Sequence, residues 1–261
     1  MTFLKIRGLT KEFYGGKGEK LRALDCIDLD ARKGELVTVF GPNGCGKTTL
    51  LKIISGFEEA SSGTASIRNR PSAEARSYLV TQNPEESLFN WMGAIRNIAI
   101  AADGPQGLRK AEEIIQGIRV GGKGLLEFSE YYPYQLSGGL KQLAVIARAL
   151  AFEPELLLLD EPFSSLDFRT AMEMEDIVLK AVGKSRRTTL FVSHNVEEAV
   201  YLADRVVVLS GQPGKVRGII RVGLPRPRKQ EMKLSAEFQG IKKELLECFG
   251  KENEARGAAR S

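Results

Sequence analysis

The chain has 261 residues, of which 43% are hydrophobic, and its formal net charge is +5 at pH 7. This length and hydrophobic content suffice for a folded core, and the modest charge selects no class of partner. No apolar stretch approaches the roughly 18 residues of a membrane-spanning helix, so we expect the chain not to cross a membrane itself. The three cysteines are widely spaced, which indicates neither a disulfide framework nor a zinc site.

The N-terminal region predicts antiparallel strands. Short strand-like runs occupy residues 4–7 and 27–31, with a glycine-rich break at residues 15–18 between them. Residues 64–68 are typical of a further strand. We therefore expect an antiparallel β subdomain beside the core of the protein.

A glycine-rich loop follows the first strongly apolar run. Residues 36–40 predict a buried parallel strand, and apolar residues at helical spacing then continue until Gly56. The loop between them, residues 41–49, reads GPNGCGKTT and matches the phosphate-binding pattern G-x-x-x-x-G-K-[ST]. In this pattern the glycines leave backbone N–H groups free to wrap phosphates. Lys47 reaches the terminal phosphates, and the Thr48 hydroxyl can ligate magnesium.

The strand–loop–helix context favours a nucleotide site over the alternative, which is a merely glycine-rich turn. The residues of this loop predicted to bind nucleotide are Gly41, Pro42, Asn43, Gly44, Cys45, Gly46, Lys47, Thr48 and Thr49.

A helical region and a second glycine turn come next. The pattern of residues 83–134 is mostly helical, with breaks at residues 104–105 and 121–122, and we assign residues from about 83 to 145 to an inserted helical subdomain. A Ser-Gly-Gly turn at residues 137–139 opens a further helix. The unpaired N–H groups and the dipole of a helix start favour anions, so this turn predicts a second anion site. The alternative is a plain helix-capping loop.

Two carboxylates end the next apolar run. Residues 156–159 predict a strand, and Asp160 and Glu161 follow it directly. Phosphoryl transfer requires positioning and neutralisation of charge more than covalent help. We therefore predict that Asp160 holds magnesium through water, beside Thr48, and that Glu161 acts as the general base for the attacking water. The alternative for the acidic pair is a capped strand end.

Strands and helices alternate from there to about residue 209. Such alternation with apolar strands predicts a parallel sheet covered by helices. The fold class is accordingly an α/β P-loop NTPase with a mainly parallel core sheet, an N-terminal antiparallel β subdomain and an inserted α-helical subdomain. Two anion sites and an acidic pair predict a composite active centre.

The motifs at residues 41–49, 136–142 and 156–161, in this order, resemble the ATPase subunit of an ATP-binding cassette (ABC) transporter. The likeness runs from about residue 4 to about residue 228, and its most specific element is the Leu-Ser-Gly-Gly signature at residues 136–139. The resemblance implies an ABC ATPase domain over residues 1–228. A C-terminal helix and a disordered tail would follow over residues 229–261.

Further site residues are implied by the resemblance. Gln82 matches the glutamine that senses the metal and the attacking water, which makes it both a catalytic and a metal-binding candidate. His194 matches the switch histidine and would polarise the terminal phosphate; its alternative is an isolated imidazole at a strand end. Phe13 resembles the aromatic residue that stacks on adenine, and the adjacent Tyr14 is nearly as good a candidate. Residues 164–167 match a loop that signals across a dimer.

The resemblance also implies that two copies share each ATP and its Mg²⁺. The signature of one copy would meet the terminal phosphate held by the phosphate loop of the other. The signature residues assigned to nucleotide binding are Ser137, Gly138, Gly139 and Gln142.

Several segments resemble bacterial importer ATPases of the nitrate, sulfonate and taurine group. They are residues 89–91, 162–163, 196–205, 212–214 and 224–228. The chain departs from that group at Asn90, at Ser164-Ser165, where Gly-Ala is common, and at Asn195, where aspartate is usual.

This likeness implies ATP-driven import at the cytoplasmic face of the inner membrane. The partners would be integral-membrane permease subunits, a solute-binding protein and a second ATPase subunit, either identical or closely related, with no nucleic acid. A non-transport cassette ATPase acting in soluble cluster or scaffold assembly is the alternative. A nucleic-acid-linked switch ATPase is disfavoured, because neither paired cassettes nor a long coiled-coil insertion is present.

The C-terminal region predicts an amphipathic helix, with Phe238, Ile241, Leu245 and Phe249 on one side. Either it docks on its own domain, or it contacts a regulatory or membrane subunit. After Gly250 the composition predicts disorder.

Overall fold

The computed structural model describes residues 2–16, 19–102, 104–116 and 118–258, and it describes the backbone alone for residues 185 and 251–258. Residues 17–18 of the predicted glycine-rich break and residues 259–261 of the predicted tail lie outside the described residues. The chain forms two compact units. The first unit comprises Met1–Ala75 and Arg186–Ser261, and the second comprises Arg76–Ser185.

The elements follow in chain order. The first part of the first unit contains β1 (Thr2–Tyr14), β2 (Lys20–Arg32), β3 (Leu36–Phe40), α1 (Lys47–Ile54), β4 (Ser62–Ile67) and β5 (Arg70–Pro71). The second unit contains β6 (Ser77–Val80), α2 (Ala94–Ala99), α3 (Gly107–Ile115), β7 (Arg119–Val120), β8 (Lys123–Gly124), α4 (Gly138–Ala151), β9 (Leu156–Asp160) and α5 (Phe168–Ser185). The chain then returns to the first unit with β10 (Thr188–Ser193), α6 (Val196–Leu202), β11 (Arg205–Leu209), β12 (Val216–Arg221) and α7 (Ala236–Ala258). Short 3₁₀ turns span Ser72–Glu74, Pro84–Glu86, Leu125–Phe128, Pro133–Gln135 and Gln230–Leu234.

An antiparallel sheet forms one layer of the first unit, with strand order β2-β1-β4-β5. Leu4, Ile6 and Ile27 are completely buried, whereas polar residues between them on the strands are exposed. This alternation is the pattern of a sheet with one buried face. The antiparallel β subdomain predicted from the sequence is therefore confirmed.

A second sheet of the first unit carries the parallel strands. In the order β12-β11-β3-β10, the strands β10 and β11 flank β3 in parallel, and β12 pairs with β11 in antiparallel orientation. Every residue of β3 and β10 is buried, which accords with the mainly apolar run LVTVF of β3. The fold class predicted from the sequence is confirmed, with an antiparallel edge strand added.

The C-terminal helix α7 docks on its own unit. Phe238 and Leu245 are completely buried, and the Phe249 ring meets that of Phe40 edge to face with centroids 5.4 Å apart. The Lys242 ammonium lies 2.6 Å from the Glu197 carboxylate. The helix continues to Ala258, beyond the point where disorder is predicted. The added residues are mainly Lys, Glu, Ala and Arg, which have high helix propensity.

The second unit is mainly helical around the parallel pair β6 and β9. Helix α4 is its most buried helix, with Leu143, Ala144 and Ala147 completely inaccessible. Within the region predicted to be helical, β7 and β8 form a small hairpin. Gly121 and Gly122 both have positive φ angles, 61° and 77°, as a two-residue hairpin turn requires. Across the described residues, no helix combines the length and apolar character needed to cross a membrane.

Candidate functional site

The phosphate loop joins β3 to α1 in the first unit. Gly46 caps α1 with a φ of 96°, and Gly44 has a φ of 79°. Both angles lie in the left-handed region, which glycine adopts without steric cost. The local sequence therefore folds as predicted, with the loop leading directly into the first turn of a helix.

Lys47 lies against this loop. Its ammonium group donates hydrogen bonds to the carbonyl oxygens of Gly41 and Pro42, at 2.9 and 3.0 Å, and the residue is only 5% exposed. Among the residues that the structure describes, no side chain caps the start of α1, and the first-turn N–H groups of any helix lack partners within the helix. A Cβ built on Gly44 meets no atom within 4 Å. A cation, a helix start and open space beside the loop together fit a triphosphate.

Two segments that are distant in sequence pack closely against the phosphate loop, one at Leu24 and one at Gly214. A Cβ on Gly46 would lie 2.7 Å from Leu24 Cδ2, and a Cβ on Gly214 would lie 2.2 Å from the Cys45 carbonyl oxygen. Gly214 is itself fastened to β2, because its N–H donates to the Ala23 oxygen at 2.9 Å and its own oxygen accepts from the Asp25 N–H at 2.9 Å. Sequence reasoning missed this role for Gly214, since no local pattern connects it with residue 45.

His194 follows the strand next to the phosphate loop. In the parallel register Ser193 pairs with Phe40, so His194 and Gly41 leave neighbouring strands at the same carboxyl edge. Ligands of open α/β sheets bind at such edges. His194 is exposed, and Asn195 caps α6 by accepting from the Glu197 N–H at 2.9 Å. Asparagine in place of the usual aspartate therefore retains a cap.

The two aromatic candidates for adenine stacking end β1. Phe13 is 37% exposed and Tyr14 is 72% exposed, and the Lys11 ammonium lies 4.8 Å from the centre of the Phe13 ring. Successive side chains of a strand point to opposite faces. One of the two residues at most can therefore stack on a given ligand, and Phe13 stays the predicted one.

The acidic pair and Gln82 meet at one edge in the second unit. Val80 pairs with Leu159 in the parallel register, so Asp160, the last residue of β9, and Gln82, just past the end of β6, lie at the same ends of neighbouring strands. Asp160 is 5% exposed, and Glu161 has a φ of 43°, which is unusual for a residue other than glycine. The strand thus ends at Asp160, and Glu161 begins a turn, which is where a carboxylate can approach a ligand.

The signature turn opens α4. The Ser137 hydroxyl accepts from the Leu140 N–H at 3.4 Å, so it caps the helix. A Cβ on Gly138 would meet no atom within 4 Å, whereas one on Gly139 would lie 2.8 Å from Thr170 Cγ2. Gly138 is therefore open to a ligand, and Gly139 is required by packing against α5.

Gln142 differs from its predicted role. It is completely buried in α4, and neither atom of its side-chain amide has a hydrogen-bond partner among the described residues. It lies more than one turn into the helix, and its neighbours on α4 are the apolar residues of the core. A side chain without exposed surface has no route to a nucleotide, so we omit Gln142 from the proposed site.

Helix α4 is tied to the segment that follows Gln82. The Lys141 ammonium lies 2.5 Å from the Glu85 carboxylate, and this ion pair lowers the pKa of Glu85. Arg148 donates to the Tyr78 hydroxyl at 2.8 Å and also to the Ser87 carbonyl oxygen. The signature helix and the Gln82 segment are consequently parts of one hydrogen-bonded assembly within the second unit.

Comparison with known proteins identifies similar ATP-binding proteins. The family model described as ABC transporter matches residues 24–164. An ABC transporter ATP-binding protein of Methanocaldococcus jannaschii is 40% identical over 93% of this chain and 90% of its own length. An aliphatic sulfonates import ATP-binding protein, SsuB, of Bacillus licheniformis is 38% identical over 94% of each chain. Among solved structures, a dimeric ATP-binding cassette in a post-hydrolysis state, bound to ADP and Pi, matches with a TM-score of 0.72. It is 25% identical, and the match covers 85% of this chain and all of that one.

Proposed function

This chain belongs to the ABC transporter ATPase family, and on that premise we propose that it powers the import of a sulfonate-type solute through separate membrane subunits. The resemblance found in the sequence is confirmed, and the chain is an ATPase. The observation that carries the role of ATP in this proposal is the Lys47 ammonium, buried against the carbonyl groups of a glycine-built loop at a helix start. That arrangement suits a triphosphate and has no other evident use.

The first unit is proposed to bind the phosphates. Lys47 and the N–H groups of the loop would bind the β- and γ-phosphates, and His194 would contact the terminal phosphate from the neighbouring strand end. Phe13 would stack on the adenine ring. Together these groups would hold the nucleotide in place and neutralise the negative charge of its phosphates.

The second unit is proposed to supply the metal and water chemistry. Asp160 and Gln82 would be the ligands that this unit offers to Mg²⁺. In the first unit, Thr48 stays a predicted magnesium ligand. When bound, Mg²⁺ neutralises charge that develops on the phosphate oxygens. The Glu161 carboxylate would take the proton of the attacking water, as a general base does.

A second ATPase subunit is proposed to complete each site. The solved relative bound to ADP and Pi is a dimer. Ser137 and the open Gly138 would then face the nucleotide of the partner copy, and the N–H groups in the first turn of α4 would donate to its anionic phosphate oxygens. Binding would close the pair, and hydrolysis would release it.

The names of relatives support a proposal for the solute and the remaining partners. Two relatives, of Bacillus licheniformis and Bacillus cereus, are aliphatic sulfonates import ATP-binding proteins, which supports a solute of the nitrate, sulfonate or taurine type as the cargo. We propose integral-membrane permease subunits and a solute-binding protein as partners, and a peripheral location on the cytoplasmic face of the inner membrane.

Two experiments test the proposal. With purified protein, Glu161→Gln should retain ATP binding and slow turnover by about 10²- to 10⁴-fold, the scale of a lost general base. Unchanged steady-state hydrolysis would remove Glu161 from this role.

For transport, the tagged chain should co-purify from membranes with a multi-span protein, and the reconstituted complex should take up a labelled aliphatic sulfonate only with ATP. Association with soluble assembly proteins alone would contradict import.

A further inference from the structure

Ser164 connects two residues of the proposed catalytic centre. The side-chain amide nitrogen of Gln82 donates to the Ser164 hydroxyl at 3.1 Å, and that hydroxyl donates to the backbone carbonyl oxygen of Glu161 at 3.0 Å. The Ser164 N–H donates to the same Glu161 oxygen at 3.2 Å. All three residues belong to the second unit.

The direction of these hydrogen bonds has a chemical consequence for Gln82. A serine hydroxyl has one proton to donate, and Ser164 donates it to Glu161. Toward Gln82 the hydroxyl can therefore only accept, which selects the NH₂ end of the Gln82 amide as its partner. The amide oxygen of Gln82 then faces away from Ser164. This oxygen is the atom of the amide that can coordinate a metal cation, because the NH₂ group cannot.

The same hydroxyl supports the backbone of Glu161. A φ of 43° places this residue in the left-handed region, which costs energy for a side chain other than glycine. The carbonyl oxygen of Glu161 accepts two hydrogen bonds from Ser164. Together these bonds stabilise the backbone turn that carries the Glu161 side chain. One hydroxyl thus sets the orientation of an amide and steadies the peptide of a carboxylate.

We propose that Ser164 is a positioning residue for ATP hydrolysis, which orients the Gln82 amide toward the metal and couples it to Glu161. The inference rests on the proposed function. Ser164 is exposed, so loss of its hydroxyl should affect the orientation of Gln82 much more than the stability of the fold.

The test is a double-mutant cycle in steady-state ATP hydrolysis with Ser164→Ala, Gln82→Ala and the double variant. We expect Ser164→Ala to lower kcat about fivefold, the change that corresponds to one lost hydrogen bond of about 1 kcal/mol. The dissociation constant for Mn²⁺, measured by electron paramagnetic resonance with a non-hydrolysable ATP analogue bound, should rise by a similar factor, as should the Mg²⁺ concentration for half-maximal activity. The KM for ATP should change less than twofold. Ser164→Thr, which keeps the hydroxyl, should restore both values.

The decisive comparison is the effect of Ser164→Ala in the Gln82→Ala background. If Ser164 acts mainly through Gln82, the substitution should lower kcat less than twofold there, and that remainder reflects its support of the Glu161 turn. An equal loss in both backgrounds would overturn the inference, as would a Ser164→Ala enzyme with wild-type kcat and Mg²⁺ dependence.

Ser129→Ala is the matched control, because it removes a hydroxyl from the same unit at a residue that pairs with Leu126 and Ile95 through its backbone. A wild-type protein without ATP hydrolysis would overturn the proposed function and this inference with it. A hydrolysing wild type that is slowed by Glu161→Gln but not by Ser164→Ala would overturn this inference alone.

Discussion

Substitution of Gly214 should disturb the phosphate loop from a distance of many residues in sequence. A Cβ added at this position would lie 2.2 Å from the carbonyl oxygen of Cys45, whereas real Cβ contacts stay beyond 3.0 Å. The two backbones would have to separate by at least about 0.8 Å. Gly214 is held in place, because its N–H donates to the Ala23 oxygen and its own oxygen accepts from the Asp25 N–H, so the strain falls on the loop at Cys45.

The size of the effect follows from this geometry. Overpacking of a fixed contact costs about 1–3 kcal/mol. For a chain of this length each kcal/mol lowers Tm by about 2–4 °C, so we expect Gly214→Ala to lower Tm by about 2–12 °C. Since the displaced carbonyl lies between Gly44 and Gly46, ATP affinity should fall as well, by about tenfold if 1.4 kcal/mol of the strain is carried by the loop.

Thermal unfolding and equilibrium titration with a fluorescent ATP analogue measure both effects. Gly223→Ala is the control, because a Cβ at Gly223 meets no atom within 4 Å and its φ is not in the left-handed region. A Gly214→Ala protein that unfolds and binds nucleotide like the Gly223→Ala control would refute the reasoning.

Three further substitutions probe the remaining features. Lys47→Ala should abolish tight ATP binding, since it removes the buried ammonium beside the phosphates, and intact affinity in calorimetry would count against the phosphate cradle. Ser137→Arg should permit nucleotide binding but block ATP-dependent dimerisation, with about 1 kcal/mol lost from the helix cap, and normal dimerisation in light scattering would contradict the shared site. Asn97→Ala should destabilise the protein by about 1–3 kcal/mol, because it leaves the Phe89 N–H, now bonded to the buried Asn97 oxygen at 2.8 Å, without its acceptor. An unchanged denaturant midpoint would show that water replaces that bond.

Local features of the site could be predicted from the sequence because their causes are local. A buried strand, a glycine loop with Lys47 and a helix occupy consecutive residues, and each is specified by periodicity or by backbone freedom within a few positions. The same holds for the Ser137 cap and for the carboxylates that end β9. The resemblance to the family rests on these motifs and their order, and it was confirmed for the same reason.

Long-range contacts could not be predicted in this way. Gly214 and Cys45 meet because a parallel bridge fastens residue 214 to β2, which is a matter of register between distant segments. Gln142 belongs to the buried face of α4, although its position beside the signature suggests a ligand contact. Ser164 appears in the sequence as the first residue of the loop at 164–167 and as a departure from its group, and neither observation indicates its contacts with Gln82 and Glu161.

The amino-acid sequence thus determined the order of the elements, the phosphate loop and the chemical types of the active groups, because these depend on neighbours along the chain. Only the tertiary structure decided which of these active groups lie side by side at the carboxyl ends of neighbouring strands. The pairing of Ser193 with Phe40 places His194 beside the phosphate loop, and the pairing of Val80 with Leu159 places Gln82 beside Asp160. Strand register and side-chain packing are properties of the folded chain as a whole, and they convert separate motifs into sites.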